Sequence, residues 1–179
     1  KWPPSGKSLA VGGHDSFVDV YECDRGYKLV GTCRGHSSFI THIGWSADEK
    51  MLFSNSGDYE LLFWEMPTGK RITNSGTCRD VQWAGYTGTL GWPVLGIWHK
   101  GADGTDVNTA DRMSHTAECL ATGDDRGLVS LFRYPALGGK ARKYGGHSSH
   151  VTTVRFSPDG TRLFSAGGAD TCVCEWKVE

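Results

Sequence analysis

The 179-residue chain has no apolar run long enough to cross a membrane as a helix. Its longest candidates are Leu61-Leu62-Phe63-Trp64 and the broken stretch Val94 to Trp98, against the ~18 residues a span requires. No basic-then-apolar leader opens it. Neither charge is in excess: 19 Lys and Arg stand against 20 Asp and Glu, a net charge of -1. That balance offers no overall attraction for a polyanion, so neither nucleic acid nor membrane is an expected partner. The six cysteines (Cys23, Cys33, Cys78, Cys119, Cys172, Cys174) include no C-x-x-C pair, and without a leader their even number favours reduced thiols over a disulfide framework. No segment sustains an apolar period of 3.6, so helices should be scarce.

Glycine, by contrast, is abundant, at 25 residues, roughly twice average usage. It follows no three-residue period, which excludes collagen, and 38% hydrophobic content with 22% charge excludes a disordered chain. The glycines mark a repeat. Four segments, Leu9 to Tyr21, Leu52 to Trp64, Leu120 to Phe132 and Leu163 to Trp176, share one plan: a short apolar strand, a Gly/Asp turn, and a second strand with alternating apolar positions. Each reads as a β-hairpin.

The closing aromatics Tyr21, Trp64, Phe132 and Trp176 are separated by 43, 68 and 44 residues. The first and last intervals fit the ~40 to 45 residues of a four-stranded propeller blade, and the middle one fits with about 25 residues inserted between Tyr86 and Thr116. Gly35-His36 and Gly146-His147 precede Trp64 and Trp176 at nearly equal distances, and a further aromatic at Trp2, Trp45, Trp83 and Phe156 is expected to close the preceding strand. Outer strands are expected at Leu29 to Cys33, Arg71 to Asn74 and Ala141 to Tyr144. The fold class is therefore all-β, a partial β-propeller of about three and a half four-stranded blades. The blades are expected at 1–21 (in part), 22–64, 65–132 with an insertion at 87–116, and 133–179. An unclosed array exposes sheet edges, so further blades N-terminal to Lys1 are expected to complete it.

Gly-His, a turn Asp and a strand ending in Trp together resemble the WD-repeat family. That resemblance implies two buried hydrogen-bonded sets, His36, Ser54, Asp58 and Trp64, and His147, Ser165, Asp170 and Trp176. A buried imidazole and carboxylate must each find partners, and a linked set satisfies both. Ser, His and Asp also make up hydrolase triads, but recurrence at the repeat spacing and the lack of a G-x-S-x-G elbow favour a structural role. The third repeat has Arg126 in the Asp register, Phe132 in place of Trp, and no Gly-His.

The stretches Val11 to Tyr21, Gly35 to Ile43, Leu90 to Trp98 with Asp103 to Asn108, Ala121 to Val129 and Gly146 to Thr152 together resemble the C-terminal propeller of the echinoderm microtubule-associated-protein-like family. The resemblance implies a non-enzymatic, cofactor-free cytoskeletal protein of the cytoplasm. It would bind tubulin and microtubules, including those of the ciliary axoneme, and serve as a scaffold. The alternative is an adaptor for other protein partners on the same fold. Tubulin presents acidic surfaces, so the cations of the outer strands and of the connections leading into them, Lys70, Arg71, Lys140, Arg142 and Lys143, are its candidate contacts. The turns opposite them are acidic (Asp15, Asp58 with Glu60, Asp124 with Asp125, Asp170). The insertion holds Trp92, Ile97 and Trp98, either an interface or, the favoured reading, aromatics buried by an extra strand. Asp103, Asp106, Asn108 and Asp111 lack the EF-hand pattern and are assigned to turns and caps. Cys172 and Cys174 are expected as small buried hydrophobes rather than as zinc ligands with His147 and His150.

Overall fold

Period-two alternation punctuated by glycine and aspartate produces fourteen strands among the described residues. The structure is a computed structural model; it describes residues 1–103, 106–114, 116, 118–138 and 140–179. The chain divides into two compact units, Lys1–Leu90 and Gly91–Glu179. No α-helix occurs among the described residues, only short 3-10 turns at Cys23–Arg25, Ser75–Cys78 and Trp92–Ile97.

The first unit contains β1 (Ser8–Gly12), β2 (Val18–Glu22) and β3 (Lys28–Cys33) in one sheet, ordered β1-β2-β3. Lys1 pairs with Ala10 in both directions, at 2.6 and 2.9 Å, on the free side of β1. A second sheet runs β4 (Ile40–Trp45), β5 (Met51–Ser56), β6 (Leu61–Glu65) and β7 (Lys70–Arg71) in that order. In the second unit, β8 (Val107–Arg112), β9 (Cys119–Asp124), β10 (Leu128–Arg133) and β11 (Ala141–Gly145) form a four-stranded meander. There, β12 (Val151–Phe156), β13 (Arg162–Gly167) and β14 (Val173–Lys177) form a three-stranded one. Every ladder is antiparallel between sequence neighbours, as tight turns require.

A bulge recurs where β4, β8 and β12 begin. Ile40 pairs with Ser56 but His42 with Asn55, Val107 with Asp124 but Thr109 with Gly123, and Val151 with Gly167 but Thr153 with Ala166. Thr41, Asn108 and Thr152 are thus the extra residues of equivalent bulges.

The alternating positions form the cores. Val18, Val20, Trp45, Leu52, Leu62 and Trp64 pack together in the first unit, and Ala121, Val129, Val151, Val154 and Leu163 in the second. Gly31 is required by close approach, because a Cβ there would overlap the Pro67 carbonyl oxygen.

Two expectations are corrected here. No strand ends at Trp83, which makes only an isolated bridge to Ser46. The first strand of the third sheet is Val107–Arg112, inside the stretch expected to be inserted. Trp83 is held by aromatic packing instead: it meets Phe53 edge-on at 4.9 Å and stacks on Phe63 at 5.9 Å, while Tyr86 stacks on Phe53 at 4.8 Å. The segment therefore covers the Phe53/Phe63 face of its sheet without joining the ladder.

Leu52 is fully buried, so Leu52→Ala should lower unfolding stability by about 2 to 4 kcal/mol. Leu137→Ala, at a 62% exposed position, should change it by less than about 0.5 kcal/mol in the same denaturant titration.

Candidate functional site

Two chains of buried polar groups stand out. In the first unit, Trp64 Nε1 donates to Ser54 Oγ at 2.7 Å, Ser54 Oγ lies 2.6 Å from His36 Nε2, and His36 Nδ1 lies 3.1 Å from Glu60 Oε2. In the second, Trp176 Nε1 donates to Ser165 Oγ at 2.8 Å, and His147 Nε2 and Nδ1 lie 2.8 Å from Ser165 Oγ and Asp170 Oδ2. A carboxylate only accepts, so Nδ1 carries the imidazole proton. Nε2 then accepts from the serine, whose own lone pair accepts from the indole. One neutral histidine satisfies the whole set.

The acid of the first set is Glu60, not the expected Asp58, which is exposed. Ser54 and Trp64 are 10 residues apart, Ser165 and Trp176 11. In the shorter turn an aspartate six residues before the tryptophan falls outside reach. A glutamate two residues further on has the extra methylene needed, and it also accepts the Ser37 amide at 3.1 Å. The order of groups matches that of a hydrolase triad, yet Ser54 and Ser165 are 0% and 1% exposed and each is tied to an indole. These hydroxyls cannot meet a substrate.

Burial lowers the His36 pKa below its ordinary 6.5, against the opposing pull of Glu60 and with help from the Arg71 charge. The Ser37 amide, with His36, holds the Glu60 carboxyl below its ordinary 4.5. Burial pushes the Asp170 carboxyl up, but hydrogen bonds from the Cys172 amide, His147 and the Ser148 amide outweigh it and leave it lowered.

The five candidate cations are all exposed, and none forms an ion pair among the described residues. Lys70 and Arg71 form β7, opposite Glu65 and Trp64. Lys140 and Arg142 border one shallow depression together with Arg133. Arg133 was missed because it belongs to a neighbouring strand and only the register brings it near. Arg142 pairs with Leu131 and Lys143 with Ser130. Successive strand residues face opposite ways, so Arg142 and Lys143 do not share a face.

The insertion forms a 3-10 turn at Trp92–Ile97, not the expected extra strand. Pro93 near its start lacks the N–H a ladder would use. Val94 and Ile97 are buried, while Trp92 and Trp98 are half-buried. The turn is pinned by Gly96 donating to the Ala136 carbonyl at 2.6 Å and Ala136 to the Pro93 carbonyl at 2.7 Å. Gly104 and Thr105, in the adjoining motif, lie outside the described residues.

Of the acidic cluster, Asp111 accepts the Phe156 amide at 2.8 Å, Asn108 donates to Asp125 and to the Val151 carbonyl, and Asp106 accepts the Asp103 amide. Cys172 is exposed and Cys174 half-buried, so the expectation of two buried cysteines is corrected: β14 is an edge strand whose side chains alternate between exposed and half-buried. Both ring nitrogens of His147 are engaged, which leaves no lone pair for a metal.

Ser165→Ala should cost about 1 to 3 kcal/mol by urea unfolding, since it strands a half-buried indole N–H and a buried imidazole nitrogen. The pH dependence has a definite sign. Downward-shifted groups contribute fully above their ordinary values, 6.5 for His36 and 4.5 for Glu60, and lose that contribution as pH falls. The thermal midpoint should fall on acidification through about pH 6 and fall further below about 4.5. A midpoint that rises between about pH 6.5 and 5 would contradict this assignment.

The crystal structure of the Myceliophteria thermophila Cps50 (Swd1) β-propeller domain superposes with a TM-score of 0.73, covering 100% of this chain and 65% of that one at 16% identity. The likeness shows the fold: an all-β, partial β-propeller. A family model described as the echinoderm microtubule-associated protein second β-propeller matches residues 1–178. The 77 kDa echinoderm microtubule-associated protein of Lytechinus variegatus is 54% identical over 99% of this chain, and echinoderm microtubule-associated protein-like 2 of Rattus norvegicus 51% identical over 98%. Human echinoderm microtubule-associated protein-like 1 is 47% identical over 99%. The chain spans 27%, 28% and 22% of the length of these relatives. With the repeat, the polar chains and this similarity along nearly its whole length, the chain belongs to the echinoderm microtubule-associated protein family, in its second β-propeller.

Proposed function

We propose that this chain is a non-catalytic binding module that attaches to tubulin and microtubules through the cations of β7, of β11 and of Lys140 just before it, and so serves as a scaffold on the cytoskeleton. The observation that carries this reading is the set of five exposed cations, Lys70, Arg71, Lys140, Arg142 and Lys143, outside any ion pair among the described residues. Unpaired surface charge contributes to long-range attraction toward an acidic partner, and the sum of several such charges is what salt weakens. The names of the relatives supply the partner class. Cytoplasm and cytoskeleton, the ciliary axoneme among its settings, belong to the same reading.

A second reading, an adaptor for a different protein, draws on the insertion. Leu95 and Leu137 are 61% and 62% exposed and flank the Gly96 to Ala136 hydrogen bond, so two large apolar side chains stand beside one rigid turn.

Charge reversal separates the two readings. In the full-length protein, Lys70→Glu, Arg71→Glu, Arg142→Glu and Lys143→Glu together should weaken microtubule co-sedimentation at least about tenfold at low salt, each exposed pair being worth about 0.2 to 1 kcal/mol. Unchanged pelleting would remove the cation reading and leave the adaptor.

A further inference from the structure

The third sheet lacks the polar chain of the second and fourth, and the place it would occupy is a cavity. By register, Thr122 stands where Ser54 and Ser165 stand: Leu52, Leu120 and Leu163 each pair with the closing aromatic, and the hydroxyl residue comes two positions later. In the third sheet no histidine or tryptophan among the described residues reaches that hydroxyl. A cavity of about 70 Å³ opens instead, lined by Thr122, Ser130, Phe132 and Lys143 and covered by Gly96 and Ile97 of the insertion.

Its lining is mixed, with the hydroxyls of Thr122 and Ser130 at the sheet and the charges of Asp106, Asp124, Arg126 and Lys143 around them. Thr122 and Ser130 are 3% and 5% exposed, lie directly across from each other on β9 and β10, and form no side-chain hydrogen bond among the described residues. Two hydroxyls that face an open cavity and carry no protein partner among the described residues are free to hydrogen-bond a group that enters it. The acids at the rim are already engaged: Asp124 accepts the Arg126 and Leu128 amides at 2.9 Å each, and Asp106 accepts the Asp103 amide and lies 3.7 Å from His99. Lys143 and Arg126, also at the rim, form no ion pair among the described residues. Donor hydroxyls with uncommitted cations suit a negatively charged acceptor. The cavity exceeds the ~10 to 15 Å³ that a single water needs.

We infer that this cavity binds a small oxyanion, a carboxylate or phosphate group, with Thr122 and Ser130 donating to its oxygens and Lys143 and Arg126 balancing its charge. The site stands in the third sheet where histidine stands in the second and fourth. It shares Lys143 with the proposed microtubule contact but does not rest on it, because Thr122 and Ser130 are buried.

Nuclear magnetic resonance titration of the intact chain at constant ionic strength tests the inference, with inorganic phosphate, acetate and a peptide carrying one glutamate, against chloride. Saturable shifts centred on Thr122, Ser130 and Lys143 are expected with an oxyanion and not with chloride. Thr122→Val and Lys143→Gln should each weaken binding about tenfold, the loss of one hydrogen bond to a charged group, and Thr122→Ser should restore it. A response to the peptide assigns the site to a partner's acidic side chain; a response to phosphate or acetate alone assigns it to free anions. No saturable shift with any oxyanion, or shifts that both variants leave unchanged, would overturn the inference. If Thr122→Val disturbs folding, Lys143→Gln at an exposed position carries the comparison. Thr122→Val should leave microtubule pelleting unchanged, which separates failure here from failure of the microtubule reading.

Discussion

A serine hydroxyl has one proton to donate, and the order of the second and fourth sheets turns on where that proton goes. In each, the indole of a strand end donates to the serine, the serine to the imidazole, and the imidazole to a carboxylate in or just past the turn. Because the indole can only donate and the carboxylate can only accept, the chain runs in one direction and permits one tautomer. It ties the connection before the first strand, the second strand, the turn and the third strand to a single buried atom. Tryptophan is needed at the strand end for its N–H, which phenylalanine cannot supply.

The third sheet drops that requirement. Phe132 has no N–H to satisfy, so losing the histidine strands no indole, and the sheet is held by Asp124 across its turn, by Val129 and Leu120 in the interior and by the insertion over one face. The extra segment thus lies over the face where the polar chain is missing. The residues that close the gap come from the same connection that delivers His36 and His147 in the other sheets, lengthened and made apolar at Val94 and Ile97.

The fold was largely legible in the sequence because hairpins here obey local rules: a leucine, a Gly/Asp turn and an aromatic. The fourth-repeat set of His147, Ser165, Asp170 and Trp176 could be named residue by residue. Its counterpart could not, because the choice between Asp58 and Glu60 depends on a turn shorter by one residue, a matter of reach rather than composition. Val107–Arg112 escaped notice because its alternation is interrupted after two residues. Trp83 imitated a strand end, since aromatic stacking and ladder pairing leave the same aromatic in the sequence. The cations could be counted but not oriented: only the pairing of Arg142 with Leu131 and Lys143 with Ser130 assigns them to opposite faces.

The bulges at Thr41, Asn108 and Thr152 lie at the same point of three repeats. Each reverses the phase of alternation once, so residues before and after it obey opposite in-out rules along one strand. The repeat therefore contains a built-in reading-frame change for its side chains. A length change confined to that point is taken up by the kink already there, whereas the same change one turn later would turn Trp45, Ala110 or Val154 from its core toward the opposite face. In these sheets tolerance to insertion is a property of a particular residue position, and it lies at a strand's beginning rather than in a loop.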